Sequence, residues 1–178
     1  MAVLGDVRRS ANMMICIDVT TFVERGFLGP FSRDMGRSDI ESILGPSDPV
    51  SYPSFIAFGN LHFELARGDD PPCSPQVLYN HPTYDDDYTD LWPDPRVDWT
   101  FGRYRSGLTV SEFARMISPG DAIIIEGTRY PRGRWIDAHM NSSGVDITFE
   151  SLHPDDEPTI SRIVGYASWK KAETKAEP

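Results

Sequence analysis

The chain has 178 residues, of which 39% are hydrophobic, and a formal net charge of −10 with a pI of about 4.7. Its length is enough for one ordinary domain or two small halves, and its 4 Trp, 7 Tyr and 9 Phe favour a packed core over intrinsic disorder. The acidic balance argues against direct binding of nucleic acid, which requires clustered Lys and Arg. It is compatible with a basic protein partner, or simply with a solvated acidic surface.

The cysteines and the N-terminal residues bear on the cellular compartment. Cys16 and Cys73 are too few for a disulfide framework and lack metal-ligand spacing. We expect Cys16 to be a small buried hydrophobe and Cys73 to lie in a loop. The apolar run at 13–17 is too short for a signal peptide, and no segment is long enough to span a bilayer. The sequence therefore predicts a cytoplasmic protein with reduced thiols, in which residues 1–13 form a flexible arm.

The first predicted elements are a strand and a short helix. Residues 13–19, MMICIDV, indicate a strand or the approach to a helix, which Asp18 or Thr21 can cap. Thr21 and Glu24 fit a capping box. Gly26 is expected to end this helix.

A second helix is predicted to start near residue 37. Ile40, Ile43 and Leu44 recur at i, i+3 and i+4, which gives the helix one apolar face. Gly36 can serve as its N-cap, and the Gly-Pro pair at 45–46 ends it.

Strands are expected in the middle of the chain. Residues 54–65 predict an antiparallel hairpin that turns at 59–60, with one apolar and one polar side. His62 is assigned to the polar side. Residues 77–79 and 97–101 are candidates for edge strands.

One stretch returns later in the chain in a similar form. Residues 28–48, LGPFSRDMGRSDIESILGPSD, align without a gap with residues 101–121, FGRYRSGLTVSEFARMISPGD. Thr109 and Glu112 predict a capping box for a third helix. Identity is confined to Gly29/Gly102, Ser38/Ser111, Pro46/Pro119 and Asp48/Asp121, but the anchor positions before each helix and the apolar face of each helix keep apolar residues in both copies. The pattern favours a duplicated motif, although any capped amphipathic helix ending at a proline shares these features.

The C-terminal part predicts mainly strands. Candidates are 121–130, 133–140, 145–151 and 159–169, separated by a basic turn and by the Asn-Ser-Ser-Gly turn at 141–144. Residues 170–178 are charged and are expected to be a disordered tail.

These motifs together carry a resemblance to known proteins. The residues concerned are Phe27-Leu28-Gly29-Pro30, Met35, Leu44-Gly45-Pro46 with Asp48, Phe58-Gly59-Asn60-Leu61, His62-Phe63 and Ser143-Gly144-Val145-Asp146-Ile147-Thr148-Phe149. On them, residues 14–169 resemble uncharacterised bacterial immunity-type proteins. Their tandem repeat is similar to that of the SmpA/OmlA lipoproteins and of β-lactamase inhibitory protein. The chain departs from that pattern at Gly36, which replaces a Thr, and in lacking a Trp before the first strand.

The resemblance implies both a fold and a function. The fold is α+β, with two tandem helix-plus-antiparallel-sheet units at 14–98 and 99–169 and with helices packed on one face of the antiparallel sheets. The function is that of an immunity protein, which neutralises a cognate bacterial toxin by occluding its active site. The toxin is expected to be basic and to act on nucleic acid or nucleotides, and no membrane is involved.

The segment 66–98, here called the acidic-aromatic connection, is the strongest candidate for partner contacts. Aromatic side chains supply much of the energy of interfaces, and an acidic field steers a basic partner. The predicted partner-binding residues are Tyr84, Asp85, Asp86, Asp87, Tyr88, Asp90, Trp92 and Asp94. A solvated acidic loop and a carboxylate metal site are the other interpretations of this segment.

The sequence predicts no catalytic residue, no cofactor and no metal site. Its four histidines lack metal-binding spacing, and none of the Ser, Gly-rich or phosphate-loop motifs of common enzymes occurs. Two alternatives to the immunity function stay open. One is a hydrolase that uses the region of Asp85 to Asp87 with His81, and the other is a non-inhibitory scaffold of the SmpA/OmlA type.

Overall fold

The computed structural model describes residues 14–32, 34–48, 54–65, 73–79, 94–129 and 133–165. These residues form three helices, α1 (Val19–Arg25), α2 (Arg37–Leu44) and α3 (Val110–Met116). The strands are β1 (Ile15–Asp18), β2 (Phe55–Phe58), β3 (Leu61–Leu65), β4 (Cys73–Leu78), β5 (Val97–Thr100), β6 (Ala122–Arg129), β7 (Gly133–Met140), β8 (Val145–Ser151) and β9 (Thr159–Gly165). No helix in these ranges has the length and apolar character that crossing a bilayer requires.

Seven of the strands form one antiparallel sheet. Their order is β2-β3-β4-β9-β8-β7-β6, and β1 and β5 form a separate parallel pair. Strands from the two halves of the chain meet where β4 pairs with β9. Among the described strands, β2 and β6 are therefore the two edges of the sheet. In the region of 77–79, predicted as an edge strand, Val77 and Leu78 instead belong to β4 in the interior of the sheet, and Tyr79 directly follows that strand.

The predicted helices are confirmed, with one correction at the first N-terminus. The α1 cap is Asp18, whose carboxylate accepts the N–H of Thr20 at 2.9 Å and the hydroxyl of Thr21 at 2.8 Å. The capping box predicted for Thr21 and Glu24 is wrong, because Thr21 already lies inside the helix. Gly26 ends α1 with a φ of 75°, a left-handed conformation that glycine adopts without strain.

The segments before α2 and α3 have matching backbone geometry. The N–H of Phe31 donates to the carbonyl of Leu28 at 3.1 Å, and the N–H of Tyr104 donates to that of Phe101 at 3.0 Å. Both turns have a glycine of positive φ at their second position, 56° at Gly29 and 53° in the later copy. Each helix then begins at its predicted N-cap. The aligned stretches thus fold alike up to the helix start.

A single hydrophobic cluster joins the helices to one face of the sheet. Residues of all three helices and inward residues of β2, β3, β7, β8 and β9 belong to it. Phe113 of α3 lies 5.2 Å from Phe149 of β8, measured between ring centroids, and Phe31 lies 5.0 Å from Phe63 of β3. The α+β class is therefore confirmed, while the division into two tandem units stays a prediction.

The structure also corrects the predictions for three residues, Cys16, Cys73 and His62. Cys16 is an exposed free cysteine, not a buried hydrophobe, because alternation along β1 turns Ile17 inward and Cys16 outward. Cys73 begins a strand and does not lie in a loop. The 54–65 hairpin forms as predicted, but of its two polar side chains only Glu64 is solvated, since His62 is only 6% exposed.

Candidate functional site

The face of the sheet that points away from the hydrophobic cluster carries polar side chains in its second half. Along β7, Ile136, Ala138 and Met140 are buried in the cluster, and alternation places the residues between them on the opposite face. We call this opposite face the polar face. It is formed by Trp135, Asp137 and His139 of β7, Asp146, Thr148 and Glu150 of β8, and Arg162 of β9.

A chain of hydrogen bonds crosses three strands of the polar face. The hydroxyl of Thr148 donates to Oδ1 of Asp137 at 2.7 Å, and Nε of Arg162 donates to the hydroxyl oxygen of Thr148 at 3.2 Å. The hydroxyl of Ser161 donates to the backbone carbonyl of Thr148 at 3.2 Å. The three strands are thereby tied together by side chains as well as by the backbone ladder.

Asp137 is electrostatically costly to the fold. Burial raises the pKa of this carboxyl above its ordinary value, and the Thr148 hydrogen bond and the Arg162 charge offset only part of that effect. A carboxylate kept where its charge is disfavoured lowers stability, and such residues concentrate at functional sites. Together with its place on the polar face, this makes Asp137 a candidate binding residue.

His139 and Asp146 form a second pair on the polar face. Nδ1 of His139 lies 2.5 Å from Oδ1 of Asp146, and both side chains are partly accessible to solvent. A carboxylate that orients an imidazole is part of many catalytic triads, but catalysis also needs a nucleophile bonded to the other ring nitrogen. No hydroxyl or thiol occupies that position in the described part of the chain. The pair can offer a partner an oriented hydrogen-bonding ring.

No metal centre is assembled by the described residues. Across ranges 14–32, 34–48, 54–65, 73–79, 94–129 and 133–165, no three His, Cys, Asp or Glu side chains are grouped so that they could ligate an ion.

The edge strand β6 beside the polar face exposes large apolar side chains. Ile123, Ile124 and Ile125 are 54%, 45% and 56% exposed. Ile123 pairs with His139 and Ile125 with Asp137, so alternation directs these two isoleucines to the side of the polar face. Ile124 lies opposite Ala138 on the other side. The edge therefore offers apolar contact area on both sides of the sheet.

Most of the sequence-predicted partner residues lie outside the described residues. These are Tyr84, Asp85, Asp86, Asp87, Tyr88, Asp90 and Trp92, together with His81 of the hydrolase alternative. Their roles stay predictions.

Asp94 is the member of the predicted set that the structure describes. It is 3% exposed, and its two carboxylate oxygens accept hydrogen bonds from Nε and a terminal nitrogen of Arg96. Burial acts to raise the pKa of Asp94, but the hydrogen bonds and charge of Arg96 outweigh it and hold that pKa below its usual range. Arg96 also donates to the carbonyl of Pro46 at 2.8 Å. Asp94 therefore orients the side chain of Arg96, and Arg96 in turn holds the loop after α2 in place through its hydrogen bond to Pro46.

Sequence reasoning missed both the polar face and the exposed edge. The run Ile123-Ile124-Ile125 predicted a strand, and its position at a sheet edge was not visible in it. One signal was present: three consecutive isoleucines cannot all point to one face of a strand, so at least one leaves the core unless both faces are covered.

Comparison of the chain with protein-family models, curated proteins and solved structures found no match. The resemblance to immunity-type proteins is therefore neither supported nor opposed by relatives.

Proposed function

We propose that this chain is a cytoplasmic protein-binding inhibitor, which neutralises a cognate bacterial toxin by occluding its active site. The single observation that carries the proposal is the run of three exposed isoleucines on the edge strand β6, next to the polar face. Contiguous apolar surface rimmed by polar groups is typical of protein interaction sites.

The charge of the chain indicates the chemistry of the partner. The formal net charge is −10, and the partly accessible Asp137 and Asp146 lie on the polar face. An acidic surface accelerates encounter with a basic protein and disfavours acidic competitors. Enzymes that act on nucleic acid or nucleotides present basic clefts, which suits a toxin of that class as the target.

The acidic-aromatic connection remains part of the proposed interface. Its Tyr84, Tyr88 and Trp92 are of the residue types that dominate binding energy at interfaces, and they alternate with carboxylates. The acidic-aromatic connection thus adds aromatic contacts to an interface whose β6 part is aliphatic.

We further propose that the fold arose from two tandem units, as the sequence echo predicts. Support comes from backbone hydrogen bonds at equivalent positions in the two stretches. Phe31 to Leu28 and Met35 to Ser32 correspond to Tyr104 to Phe101 and Leu108 to Arg105. The two helices that follow start at equivalent positions, Gly36 and Thr109.

Co-expression with the product of the adjacent reading frame tests the inhibitor function. We expect that product to be toxic alone, to be tolerated when this chain is present, and to purify with it as a stable complex. A non-toxic product, or one that this chain neither rescues nor binds, would exclude the proposal. The double variant Tyr84→Ala/Trp92→Ala should weaken the complex by about tenfold or more, the usual effect of truncating hot-spot aromatics.

A further inference from the structure

We propose that the partner binds by strand addition: an extended segment, with apolar side chains alternating with cationic ones, pairs with the open edge of β6. This rests on the proposed function, because it names the contact by which the inhibitor engages its target. The occupant is a segment of a basic protein, and a second copy of this chain is an outcome that the experiment below distinguishes.

The two edges of the seven-stranded sheet differ in whether their outward backbone groups are hydrogen-bonded. At β2, the outward carbonyl of Ala57 accepts the N–H of Asp48 at 2.8 Å, and that of Phe55 accepts a terminal nitrogen of Arg37 at 3.4 Å. The loop after α2 and a side chain of α2 therefore already occupy this edge. At β6, none of the described residues makes an equivalent contact with the outward backbone groups.

The backbone alternation identifies which groups of β6 face outward. The carbonyl of Asp121 accepts the N–H of Asn141 of the β7 side at 2.9 Å. Every second residue of an antiparallel strand bonds the same neighbour, so Ile123 and Ile125 bond to β7. Ala122, Ile124 and Glu126 then direct their N–H and C=O groups to the open side.

The first half of β6, Ala122 to Ile125, lacks the charged side chains that protect a free edge, since the charged residues of this strand, Glu126 and Arg129, lie in its second half. Natural edge strands are short or carry Lys, Pro or a bulge, which prevent pairing with other chains. β6 spans eight residues and pairs with β7 in unbroken register, and its centre is three exposed isoleucines. Such an edge is an aggregation hazard unless a partner strand covers it.

The net charge of the chain favours a cationic occupant over a second copy. Asp121 and Glu126 are exposed along the edge, and Glu126 shares an ion pair with Arg134 of β7 at 2.8 Å. An added strand that turns its apolar side chains to Ile123 and Ile125 turns its Lys or Arg to the other side of the sheet, beside Ile124 and Glu126. Two copies of a chain of net charge −10 repel each other.

A short synthetic peptide of alternating Lys and Val is the probe, titrated into the full chain and followed by calorimetry and amide hydrogen exchange. We expect saturable binding and slowed exchange at the outward amides of Ile124 and Glu126. The amides of Ile123 and Ile125, which already bond β7, should change little. A matched peptide of alternating Glu and Val should bind about tenfold more weakly or worse.

The variant Ile124→Lys places a charge at the centre of the edge and should weaken the Lys/Val peptide by about tenfold or more. Met14→Lys, at another exposed apolar residue, is the matched control and should leave binding unchanged. Thermal unfolding of both variants checks that they fold, and Ile123→Lys replaces Ile124→Lys if the latter does not.

Three outcomes overturn strand addition. The first is a Lys/Val peptide that neither binds nor protects the outward amides. The second is concentration-dependent dimerisation that protects these amides without peptide, which makes a second copy the occupant. The third is a toxin, encoded by the adjacent gene, that binds Ile124→Lys as tightly as the unmodified chain. That result would be consistent with the inhibitor function and would exclude only binding by strand addition at β6. A toxin that binds neither form removes the inhibitor function itself, whatever the peptide does.

Discussion

The two edge strands of the seven-stranded sheet contain similar residues in opposite environments. In β2, Ile56 and Phe58 are fully buried, and a helix side chain and a loop amide bond the outward carbonyls. In β6, three isoleucines remain about half exposed and the outward backbone groups face no described residue. An isoleucine in a strand thus stabilises the fold at one edge, and at the other leaves apolar surface exposed to solvent.

The largest expected difference is between two matched isoleucine truncations. Ile56→Ala should lower the free energy of unfolding by about 2–5 kcal/mol, because it opens a cavity in the core. Ile124→Ala should change it by less than about 0.5 kcal/mol, since the side chain is already partly solvated. Urea unfolding with an unchanged m-value measures both. Equal losses at the two sites would mean that β6 is part of the core.

The free energy of unfolding should also depend strongly on pH through His62 of β3, the strand beside the covered edge. Burial lowers the pKa of His62 to about 4, while its Nε2 donates to the carbonyl of Gly59 at 2.9 Å. The unfolded chain binds the proton more tightly, near pH 6.5, so this contribution is fully present above that pH. It should be lost as pH falls toward 4, by roughly 3 kcal/mol in total.

The variant His62→Gln isolates this titration from those of the carboxyl groups. The difference in unfolding free energy between the unmodified chain and the variant should rise with pH between 4 and 6.5 and be flat above. A flat difference throughout would show that His62 is not buried in its neutral form.

The caps of the two matching helices differ, and the difference should be measurable. The hydroxyl oxygen of Thr109 accepts the N–H of Glu112 at 3.2 Å, whereas Gly36 offers no side chain to α2. Thr109→Ala should therefore cost about 1 kcal/mol, and Gly36→Ser should add a few tenths of a kcal/mol, since its φ of −89° suits any residue. Thermal unfolding of the two variants measures both changes in stability, a loss for Thr109→Ala and a gain for Gly36→Ser. A stabilised Thr109→Ala would contradict the capping role.

The smallest expected effect concerns Asp137 on the polar face, and its sign is opposite to that of His62. Because burial raises the pKa of Asp137, its contribution to stability is greatest at low pH and is lost as pH rises through the folded-state pKa. Asp137→Asn should accordingly raise the melting temperature at pH 7, with a gain that vanishes in acid. If the residue serves the partner, the same variant should weaken the complex while the free protein becomes more stable.

Local features of the fold were predictable from the sequence. The caps at Asp18, Gly36 and Thr109 and the stops at Gly26 and at 45–46 all appear as the sequence predicts. They depend on hydrogen bonds between residues at most four apart, which the sequence displays directly. The same holds for the hairpin turn at 59–60.

Burial was less predictable where it depends on distant residues. His62 alternates with apolar neighbours and was assigned to a solvated side, yet the fold encloses it. Asp94 belongs to an acidic run that suggests solvent, yet Arg96 and the loop after α2 hold it inside. Cys16 lies in an apolar run and is exposed, because only one face of β1 packs.

The sequence by itself determined the caps and stops of the helices and displayed the 73-residue echo between 28–48 and 101–121 (101 minus 28), and the resemblance it carries implied the α+β class. The caps and stops follow from short-range periodicity and from backbone groups that must be satisfied within a turn of chain. Only the tertiary structure decided that β4 pairs with β9, that a loop covers β2 and that β6 is left at the open edge. Strand order joins residues far apart in the sequence, so the exposure of Ile123, Ile124 and Ile125 is a property of the assembled sheet and not of their own run.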